Sequence, residues 1–512
     1  MSYSTRLFLT LSSLLLAKPP AEGTPAGGGG SAPTWSDVLD PALQRLKGLV
    51  EGFLAQPVTP ARAQQFEQDL QEALRELGRG VVQHTYNRLE PVDIHALPGH
   101  VHFEAGLYTR LGRKTPQNAW TLFGQIRLWR AGYRPTDKSG DPTLFPLARA
   151  LGLVEGASPA LAGRAARLHG AAGATQRQTL ERLRQDHGVG WGVKKLRQVI
   201  AAVSQAAAAQ RHPAQVQRLL GLLEQASASA GKHKPLLSVG RDGISLGLRY
   251  RGITLSEVAS TATLSVLDRR GRRLGTVYLA FTPEPGQPTM SRELTRLLRD
   301  VLGRWQGPLP RLCYVTDAGD NEAAYFKVLR RLVHPRTGAR LEWVRVVDYY
   351  HAGQRVWAMA ELLFGKGRPG TAWARKMLRW LLLPGGVSRV LHSAAALRDR
   401  YGLGKNKRAE FRKAYRYLSK RAKYLKYDEY RRLGVPLGSG VTEAGCKTVY
   451  SQRLKLSGMR WKKAGAQAVL DLRVLQLSGV WDDAYARALD TVEEAKVRTH
   501  DGSQQTGAEN AA

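Results

Sequence analysis

The stretch LLSVGRDG, residues 236–243, decides the fold class, because an apolar run of strand length leads directly into Asp242. Two further strand patterns, ATLSVLD (262–268) and LGTVYLAF (274–281), flank the turn sequence RRGRR and predict a hairpin. These patterns predict a sheet that begins with three consecutive strands, the first of which ends at an acid.

Helices and strands alternate after this hairpin. A helical pattern over Ser291–Leu302 precedes the strand RLCYVTD, which ends at Asp317. A second helix, from about Asn321, precedes the strand EWVRVVD, which ends at Asp348. The order βββαβαβ, with acids ending the first and fourth strands, is the ribonuclease H-like arrangement. We therefore predict a mixed α/β fold with a ribonuclease H-like catalytic core over 231–349.

The acids at these strand ends are candidate metal ligands. If the first and fourth strands are neighbours, the carboxylates of Asp242 and Asp317 emerge at the same end of the sheet, and hard divalent cations prefer such oxygen ligands. A third acid must come from another element, and Glu443 lies in the first turn of a predicted helix that Ser439 could cap. Asp320 is the main rival to Asp317, although its position at a helix start favours a capping role.

Composition divides the chain around this core. Before the core we predict a disordered leader and linker (1–34), a helical region (35–98), a small β module (99–156) and a helix-turn-helix-like DNA-binding region (157–230). The core (231–349) is followed by a long α-helical insertion (350–437), the C-terminal part of the core (438–485) and a disordered tail (486–512).

The helix-turn-helix prediction depends on cap signals. Ser158 before Pro159 and Thr175 are N-cap signals, and a glycine-containing turn precedes a helix that begins near Trp191. Such a helix could enter a major groove, although an ordinary bundle with a solvated basic face explains the pattern equally well. The predicted DNA-binding residues of this helix are Lys194, Lys195 and Arg197.

Charge makes nucleic acid the leading partner. The 512 residues include 77 Lys and Arg against 42 Asp and Glu, a net charge of +35. Residues 361–470 alone hold 26 Lys and Arg against six Asp and Glu, a net charge of +20. The tyrosines of this block, Tyr415, Tyr424 and Tyr427, either stack on bases or only pack the helices.

Cysteine content and hydropathy bear on the compartment. The two cysteines, Cys313 and Cys446, are too few for a disulfide framework, so we expect a reducing cytoplasm. No apolar run reaches the roughly 18 residues of a membrane span, and we expect no membrane partner. Leu7–Ala17 is similar to the apolar part of a signal peptide, although a short leader or an incorrectly assigned start fits the rest of the chain better.

Several motifs together carry a family resemblance. RDG at Asp242, VTDAGDN over 315–321, VVDYYHAGQRVW from Val346 and the long block PLGSGVTEAGCKTVYSQRLKLSGMRWKKAGAQAVLDLRVLQLSGVWD over 436–482 resemble the ISKra-like insertion-sequence transposases. The resemblance spans roughly residues 100–483, and the C-terminal block, with its Gly-Ser-Gly turn before the glutamate, is its most specific part.

The resemblance implies a DDE transposase of ribonuclease H-like fold with Asp242, Asp317 and Glu443 as its triad. It implies two Mg²⁺ ions, which Mn²⁺ could replace, and double-stranded DNA partners, namely the element's terminal repeats and the target. It also implies a homo-oligomer on DNA. Many relatives carry paired cysteines in the β module, whereas this chain has the sequence YRPT from Tyr133, so we expect no zinc.

Two further groups of residues are candidates. Asp348 and His351 form a D-x-x-H motif like one in related transposases, and they are accessory-site candidates; alternatively, His351 only hydrogen-bonds Asp348 and holds the insertion against the sheet. Arg460, Trp461 and Lys462 could clamp phosphate and stack on a base, or Trp461 could be a core residue.

Two other functions remain open. A structure-specific DNA nuclease on the same fold would cut but not join, and a domesticated transposase would bind DNA as a regulator without catalysis. The sequence contains no GxxxxGK[ST] or HExxH motif, which disfavours ATP-driven DNA handling and zinc peptidase chemistry.

Overall fold

The computed structural model describes residues 35–137, 140–494 and 498–499, and the predicted leader at 1–34 lies outside this part of the chain. The protein is mixed α/β. It divides into two compact units. The first comprises the described residues up to His169, those over Thr175–Val203 and those from Ala486 onward, and the second comprises Gly170–Ala174 and Ser204–Tyr485. None of the described helices is long and apolar enough to cross a bilayer.

The elements are numbered here in chain order. The strands are β1 (His100–Phe103), β2 (Gly106–Arg110), β3 (Thr115–Thr121), β4 (Gly124–Arg130), β5 (Tyr133–Pro135), β6 (Leu236–Tyr250), β7 (Ile253–Leu267), β8 (Arg273–Phe281), β9 (Arg311–Thr316), β10 (Trp343–Val347) and β11 (Arg498–Thr499). The helices are α1 (Trp35–Leu54), α2 (Pro60–Asn87), α3 (Pro146–Ala150), α4 (Pro159–Gly170), α5 (Gln176–His187), α6 (Val193–Ala209), α7 (Arg211–Ala228), α8 (Pro288–Arg304), α9 (Asp320–Leu329), α10 (Tyr349–Phe364), α11 (Arg368–Leu381), α12 (Gly386–Tyr401), α13 (Lys405–Arg421), α14 (Tyr427–Leu433), α15 (Gly440–Cys446), α16 (Gln452–Leu454), α17 (Lys463–Leu477) and α18 (Trp481–Glu494).

The first unit contains two small antiparallel sheets, one ordered β11-β1-β2-β5 and one formed by the hairpin β3-β4. Helix α2 satisfies the edge of this hairpin with side-chain amides. Asn87 accepts the Trp129 N–H at 2.7 Å and donates to the Arg127 carbonyl at 3.0 Å, while Gln83 accepts the Arg127 N–H at 2.7 Å. A strand edge that lacks a backbone partner thus finds hydrogen bonds on a helix.

Helices α4 and α5 begin directly after the N-cap signals of the sequence, Ser158 and Thr175. Thr175 and Gln178 form a reciprocal capping box at the start of α5, and Gly188, with a φ of 63°, ends it in the left-handed conformation. The Ser158 hydroxyl oxygen accepts the Leu161 N–H at the start of α4. The cap predictions for these helices are confirmed.

The second unit is built on a five-stranded mixed sheet with the order β10-β9-β6-β7-β8. Strands β6, β7 and β8 are antiparallel neighbours, whereas β9 is parallel to both β6 and β10. The parallel pairing of β6 with β9 spans only Leu236–Gly240 against Arg311–Val315. The first and fourth strands of this unit are therefore neighbours, which brings their ends to one region of the sheet.

Both faces of this sheet are covered. Leu237, Val239 and Tyr314 pack on one face against helices α7, α8 and α9. On the other face, Cys313 and Val315 pack against α10 to α14, the helices of the predicted insertion. This alternation along β6 and β9 follows from the two-residue period of a strand, because each face receives every second side chain.

The prediction that the first strand ends at Asp242 is wrong. Strand β6 continues through Asp242 to Tyr250 and pairs with β7 along its whole length. Its distal half has a buried face of its own, in which Leu246 and Leu248 pack under helix α17. The alternation ISLGLRY over 244–250 is the strand signal that the sequence prediction did not use.

The prediction of a disordered tail over 486–512 is wrong for the residues of this range that the structure describes, 486–494 and 498–499. Helix α18 extends to Glu494, and Ala484 and Ala488 on it are buried. Strand β11 then pairs with β1, with Thr499 opposite Val101. An amphipathic helix with a small-residue face can pack where a polar tail cannot, and the stretch from 500 lies outside the described residues.

Candidate active site

Three carboxylates approach one another in the second unit. Asp242 lies on β6 two residues beyond the parallel pairing with β9, Asp317 directly follows β9, and Glu443 lies in helix α15. Burial raises the pKa of Asp242, and the charges of Asp317 and Glu443 raise it further. Asp317 and Glu443 are thus close enough to Asp242 for their charges to act on its carboxylate.

Asp242 is held by two donors. Its Oδ1 accepts the backbone N–H of Gly243 at 2.7 Å, and the Cys446 thiol donates to Oδ2 at 3.4 Å. These hydrogen bonds lower the pKa of Asp242, but burial outweighs them, and both neighbouring charges that act on the carboxylate are negative. The protein therefore favours the ionised form of Asp242 less than water does.

Close packing between α15 and the sheet fixes the distance between Glu443 and Asp242. A Cβ added to Gly240 would lie 2.0 Å from the Thr442 hydroxyl oxygen, so only glycine fits this position on β6. The Thr442 hydroxyl is 2.7 Å from that of Thr263 on β7. The glycine two residues before Asp242 and the threonine one residue before Glu443 therefore hold helix and strand in direct contact.

The turn after β9 orients Asp317. Its Oδ1 accepts the Gly319 N–H at 3.0 Å, and the Thr316 hydroxyl oxygen accepts the Ala318 N–H at 3.1 Å. Ala318 has a φ of 64°, a left-handed conformation that costs a residue with a side chain about 1 kcal/mol or more. Asp320 is the exposed first residue of α9, and Gly319 occupies the cap position instead, so the predicted capping role of Asp320 is wrong.

Glu322 is a fourth carboxylate near the site, and the sequence reasoning did not identify it. Its side chain is 7 % exposed, and burial raises its pKa, as do the charges of Asp317 and Asp242. A Cβ added to Gly319 would lie 2.4 Å from Oε2 of Glu322 and 3.6 Å from Oδ1 of Asp317. Because Gly319 has no side chain, the carboxylates of Glu322 and Asp317 can both approach this position.

Glu443 contacts one residue near the start of the helical insertion, His351, and one residue just after its end, Ser439. Its Oε1 lies 2.9 Å from the Ser439 hydroxyl and 3.4 Å from Nε2 of His351. Ser439 occupies the N-cap position of α15, but its side chain does not cap the helix and contacts Asp348 and Glu443 instead. The backbone N–H of His351 donates to Asp348, so the hydrogen bond of the alternative interpretation is present, while the His351 imidazole lies near Glu443.

The chemistry of these side chains fits a hard divalent cation. Among the described residues, no three His, Cys, Asp or Glu side chains already stand in a common ligand geometry. The donor set nevertheless consists of carboxylate oxygens from Asp242, Asp317 and Glu443, which are the ligands that Mg²⁺ prefers. A cation among them would offset the mutual repulsion that raises the pKa of Asp242.

The predicted DNA-binding residues of the first unit lie on α6. Lys194 and Arg197 are exposed, on the side opposite the buried Leu196 and Val199. Lys195 is half-buried, with its Nζ 4.0 Å from a carboxylate oxygen of Glu155. The guanidinium of Arg197 donates to a side chain of α5. The basic face is present on this helix, and its contact with DNA stays a prediction.

The predicted DNA-binding residues of the second unit differ in exposure. Arg460 and Lys462 are exposed, whereas Trp461 is half-buried against the cluster under α17. The Trp461 indole N–H donates to the Leu454 carbonyl at 3.0 Å, and the Arg453 guanidinium lies 5.1 Å from its ring centroid. These contacts favour a packing role for Trp461 over base stacking.

No protein-family model matches this sequence, and a search of curated proteins finds no significant match. The function must therefore be argued from the residues of the site.

Proposed function

We propose that the chain is a cytoplasmic DNA transposase of ribonuclease H-like fold, related to the ISKra-like insertion-sequence transposases. The observation that carries the proposal is the approach of Asp242, Asp317 and Glu443, from the first strand, the fourth strand and the helix after the insertion. These acids are 75 and 126 residues apart along the chain, so their proximity is a property of the fold.

The sheet supports the proposed fold. Its three antiparallel strands are followed by two parallel ones in the order β10-β9-β6-β7-β8, which is the connectivity that the pattern βββαβαβ requires of a ribonuclease H-like core. The sheet also explains why residues 243–250 do not disturb the site. They extend β6 beyond Asp242, away from its parallel pairing with β9.

The proposed reaction is phosphoryl transfer on DNA without a covalent protein intermediate. Two bound Mg²⁺ ions supply the activation of a water or a DNA 3′-hydroxyl and the stabilisation of the departing 3′ oxygen. Asp242, Asp317 and Glu443 would hold the ions, with Glu322 close behind Asp317. With the ions held, the position of the carboxylates would determine where the scissile phosphate lies for in-line attack, both in cutting the element's end and in joining its 3′-hydroxyl to target DNA.

Charge supports DNA as the substrate. The stretch 361–470, which runs from the last turn of α10 to the middle of α17, carries a net charge of +20, and self-repulsion on that scale is offset when a polyanion binds. The exposed Arg460 and Lys462 belong to this block, and Lys194 and Arg197 add basic charge in the first unit. We propose that the protein binds terminal repeats and target DNA as a homo-oligomer.

The test is Mg²⁺-dependent cleavage and strand joining on a labelled duplex that carries the element's own ends. Glu443→Gln removes one carboxylate charge at nearly constant volume, and Glu410→Gln is the matched control on an exposed glutamate of α13 that pairs with Lys413. We expect the wild type and the control to cut and join, and Glu443→Gln only to bind DNA.

Other results would point elsewhere. Cleavage without joining would favour the structure-specific nuclease, and binding without cleavage by the wild type would favour the regulator. Equal activity of the wild type and Glu443→Gln would exclude Glu443 as a ligand.

A further inference from the structure

The helical insertion leaves the sheet and returns to it at one point. It begins with α10, directly after β10, and the chain comes back at Leu437, whose carbonyl accepts the Tyr349 N–H at 2.9 Å. Asp348 lies at this junction and is fully buried, with 0 % of its surface exposed. The first and last residues of the insertion are therefore tied together beside α15.

Asp348 uses both carboxylate oxygens to make this junction. Its Oδ1 caps α10 by accepting the N–H groups of Tyr350 at 2.6 Å and His351 at 3.1 Å. Its Oδ2 accepts the backbone N–H of Ser439 and also lies 2.6 Å from the Ser439 hydroxyl. One buried carboxylate thus joins the start of the insertion to the turn that leads into Glu443.

The Ser439 hydroxyl lies between two carboxylates, those of Asp348 and Glu443, and it has one proton. Because the Ser439 N–H already serves Asp348, the hydroxyl proton is available to Glu443. Together with the His351 imidazole, this donor contacts Oε1 of Glu443, which leaves Oε2 as the oxygen that can approach an ion.

The middle of the insertion contacts the backbone of the turn that carries the second carboxylate, Asp317. On α13, the Tyr417 hydroxyl donates to the Asp317 carbonyl at 2.7 Å, and the Arg421 guanidinium donates to the Ala318 carbonyl at 2.9 Å. The guanidinium carbons of Arg355 and Arg421 lie 5.0 and 4.2 Å from the Tyr417 ring centroid. This arrangement fixes the backbone at the one turn where Ala318 is left-handed.

We infer that the helical insertion positions two of the three carboxylates: Tyr417 and Arg421 orient Asp317, and Ser439, His351 and Asp348 orient Glu443. The inference rests on the proposed function, since it assigns these five side chains as positioning residues of that site. The insertion is thereby a structural part of the active site in addition to its basic surface. If the insertion no longer packs against the sheet, Asp317 and Glu443 both lose the contacts that orient them.

Hydrogen bonds from outside the ligand set influence ion binding because they hold each carboxylate in the orientation that binds. The loss of such a partner costs about 10-fold or more in metal affinity. Tyr417→Phe and Ser439→Ala each remove a single hydroxyl and leave the surrounding packing in place. Each is therefore expected to weaken ion binding without unfolding the protein.

The experiment compares these two variants of the full chain with matched controls from the insertion. Tyr415→Phe removes a hydroxyl from the same helix as Tyr417, and Ser393→Ala removes the acceptor of the Trp373 indole N–H. The first measurement is Mn²⁺ affinity without DNA, by electron paramagnetic resonance. The second is amide hydrogen exchange, without metal, in the peptides over 316–322 and 438–446.

We expect Tyr417→Phe and Ser439→Ala to weaken Mn²⁺ binding about 10-fold and the controls to stay within about twofold of the wild type. Tyr417→Phe should also speed exchange in 316–322, and Ser439→Ala in 438–446. Wild-type affinity and wild-type exchange in both test variants would overturn the inference. If the wild type binds no Mn²⁺, the proposed function fails, and the exchange rates alone decide whether the insertion orients the two carboxylates.

Discussion

Two aspartates of the five-stranded sheet and its turns, Asp268 and Asp242, have pKa values shifted in opposite directions by their surroundings. Asp268, in the turn between β7 and β8, is 1 % exposed and accepts the N–H groups of Arg270 and Arg272 and the Arg272 guanidinium. Burial acts to raise the pKa of Asp268, but these hydrogen bonds outweigh it and place the pKa below its ordinary value. Around Asp242 the balance is reversed, because burial and two negative neighbours raise the pKa.

The difference separates a structural carboxylate from a candidate functional one. A charge that only stabilises the fold is given its donors within the same turn, as Asp268 is. Asp242 is instead half-buried near Asp317 and Glu443, and burial together with these two charges disfavours its ionised form when no cation is bound. A site for divalent ions brings carboxylates together, and this lowers the free energy of unfolding of the metal-free protein. Substitutions at Asp242 and at Asp268 can therefore test the comparison.

The largest expected effect is on catalysis. Asp242→Asn removes a ligand charge at constant shape, and we expect DNA cleavage to fall about 1,000-fold, about 4 kcal/mol of transition-state stabilisation, while DNA binding persists. The measurement is the single-turnover cleavage rate on a labelled end. Asp268→Asn and the exposed Asp399→Asn are the controls, and if either lost activity to the same degree, the contrast between the two regions would not hold.

Stability should move in opposite directions at the two aspartates. Asp268→Asn places an amide where three N–H groups need an acceptor, and we expect the free energy of unfolding to fall by about 3 kcal/mol. Asp242→Asn removes a repulsion, and we expect a rise of about 1 kcal/mol. Urea unfolding of both variants beside the wild type measures these changes. A fall for Asp242→Asn as large as that for Asp268→Asn would mean that Asp242 also serves the fold.

Gly240 tests whether the carboxylate end depends on close packing. We expect Gly240→Ala to destabilise the protein by about 2 kcal/mol, because its Cβ would meet the Thr442 hydroxyl oxygen. Adding Thr442→Ala should restore about half of the loss, as a double-mutant cycle would show. Gly221→Ala is the matched control, since nothing lies within 4 Å of a Cβ there and helix α7 favours alanine. Additive effects of Gly240→Ala and Thr442→Ala would contradict the contact.

The sequence predicted the second unit better than it predicted the site's details. The strands around residues 236–281, 311–317 and 342–348 were recognisable because apolar runs of strand length are bounded by turns and acids. Asp317 therefore lies where it was expected, directly after a strand. Asp242 does not end its strand, because residues 244–250 have a buried face that exists only once α17 covers it.

The remaining site residues depend on contacts between distant parts of the chain. Ser439 has the local signature of a helix cap, but its N–H donates to a fully buried Asp348, 91 residues earlier, and its hydroxyl lies between Asp348 and Glu443. Glu322 has no sequence signal beyond the neighbouring Gly319. Gly240 lies two residues before Asp242, and Thr442 lies one residue before Glu443. The close contact between Gly240 and Thr442 explains why a glycine is required on the strand, and the sequence does not reveal this contact.

The smallest expected effect is a difference in pH dependence. Because the native pKa of Asp242 is raised, the folded protein keeps this proton to a higher pH than the unfolded chain, so the contribution of Asp242 to stability falls as the pH rises from about 4 through the native pKa. The pKa of Asp268 is lowered, so its stabilising contribution is complete above about pH 4 and is lost as the pH falls through the native pKa.

Urea unfolding of the wild type, Asp242→Asn and Asp268→Asn at several pH values would separate the two contributions. The advantage of Asp242→Asn over the wild type should grow as the pH rises from about 4 to neutral, and the disadvantage of Asp268→Asn should shrink on acidification below about pH 4. Added Mg²⁺ should stabilise the wild type more than Asp242→Asn, since a bound cation offsets the carboxylate repulsion that adds to the effect of burial on the pKa of Asp242. Parallel pH profiles for the two variants would mean that both aspartates lie in equivalent environments, which contradicts the arrangement of donors around Asp268 and of carboxylates around Asp242.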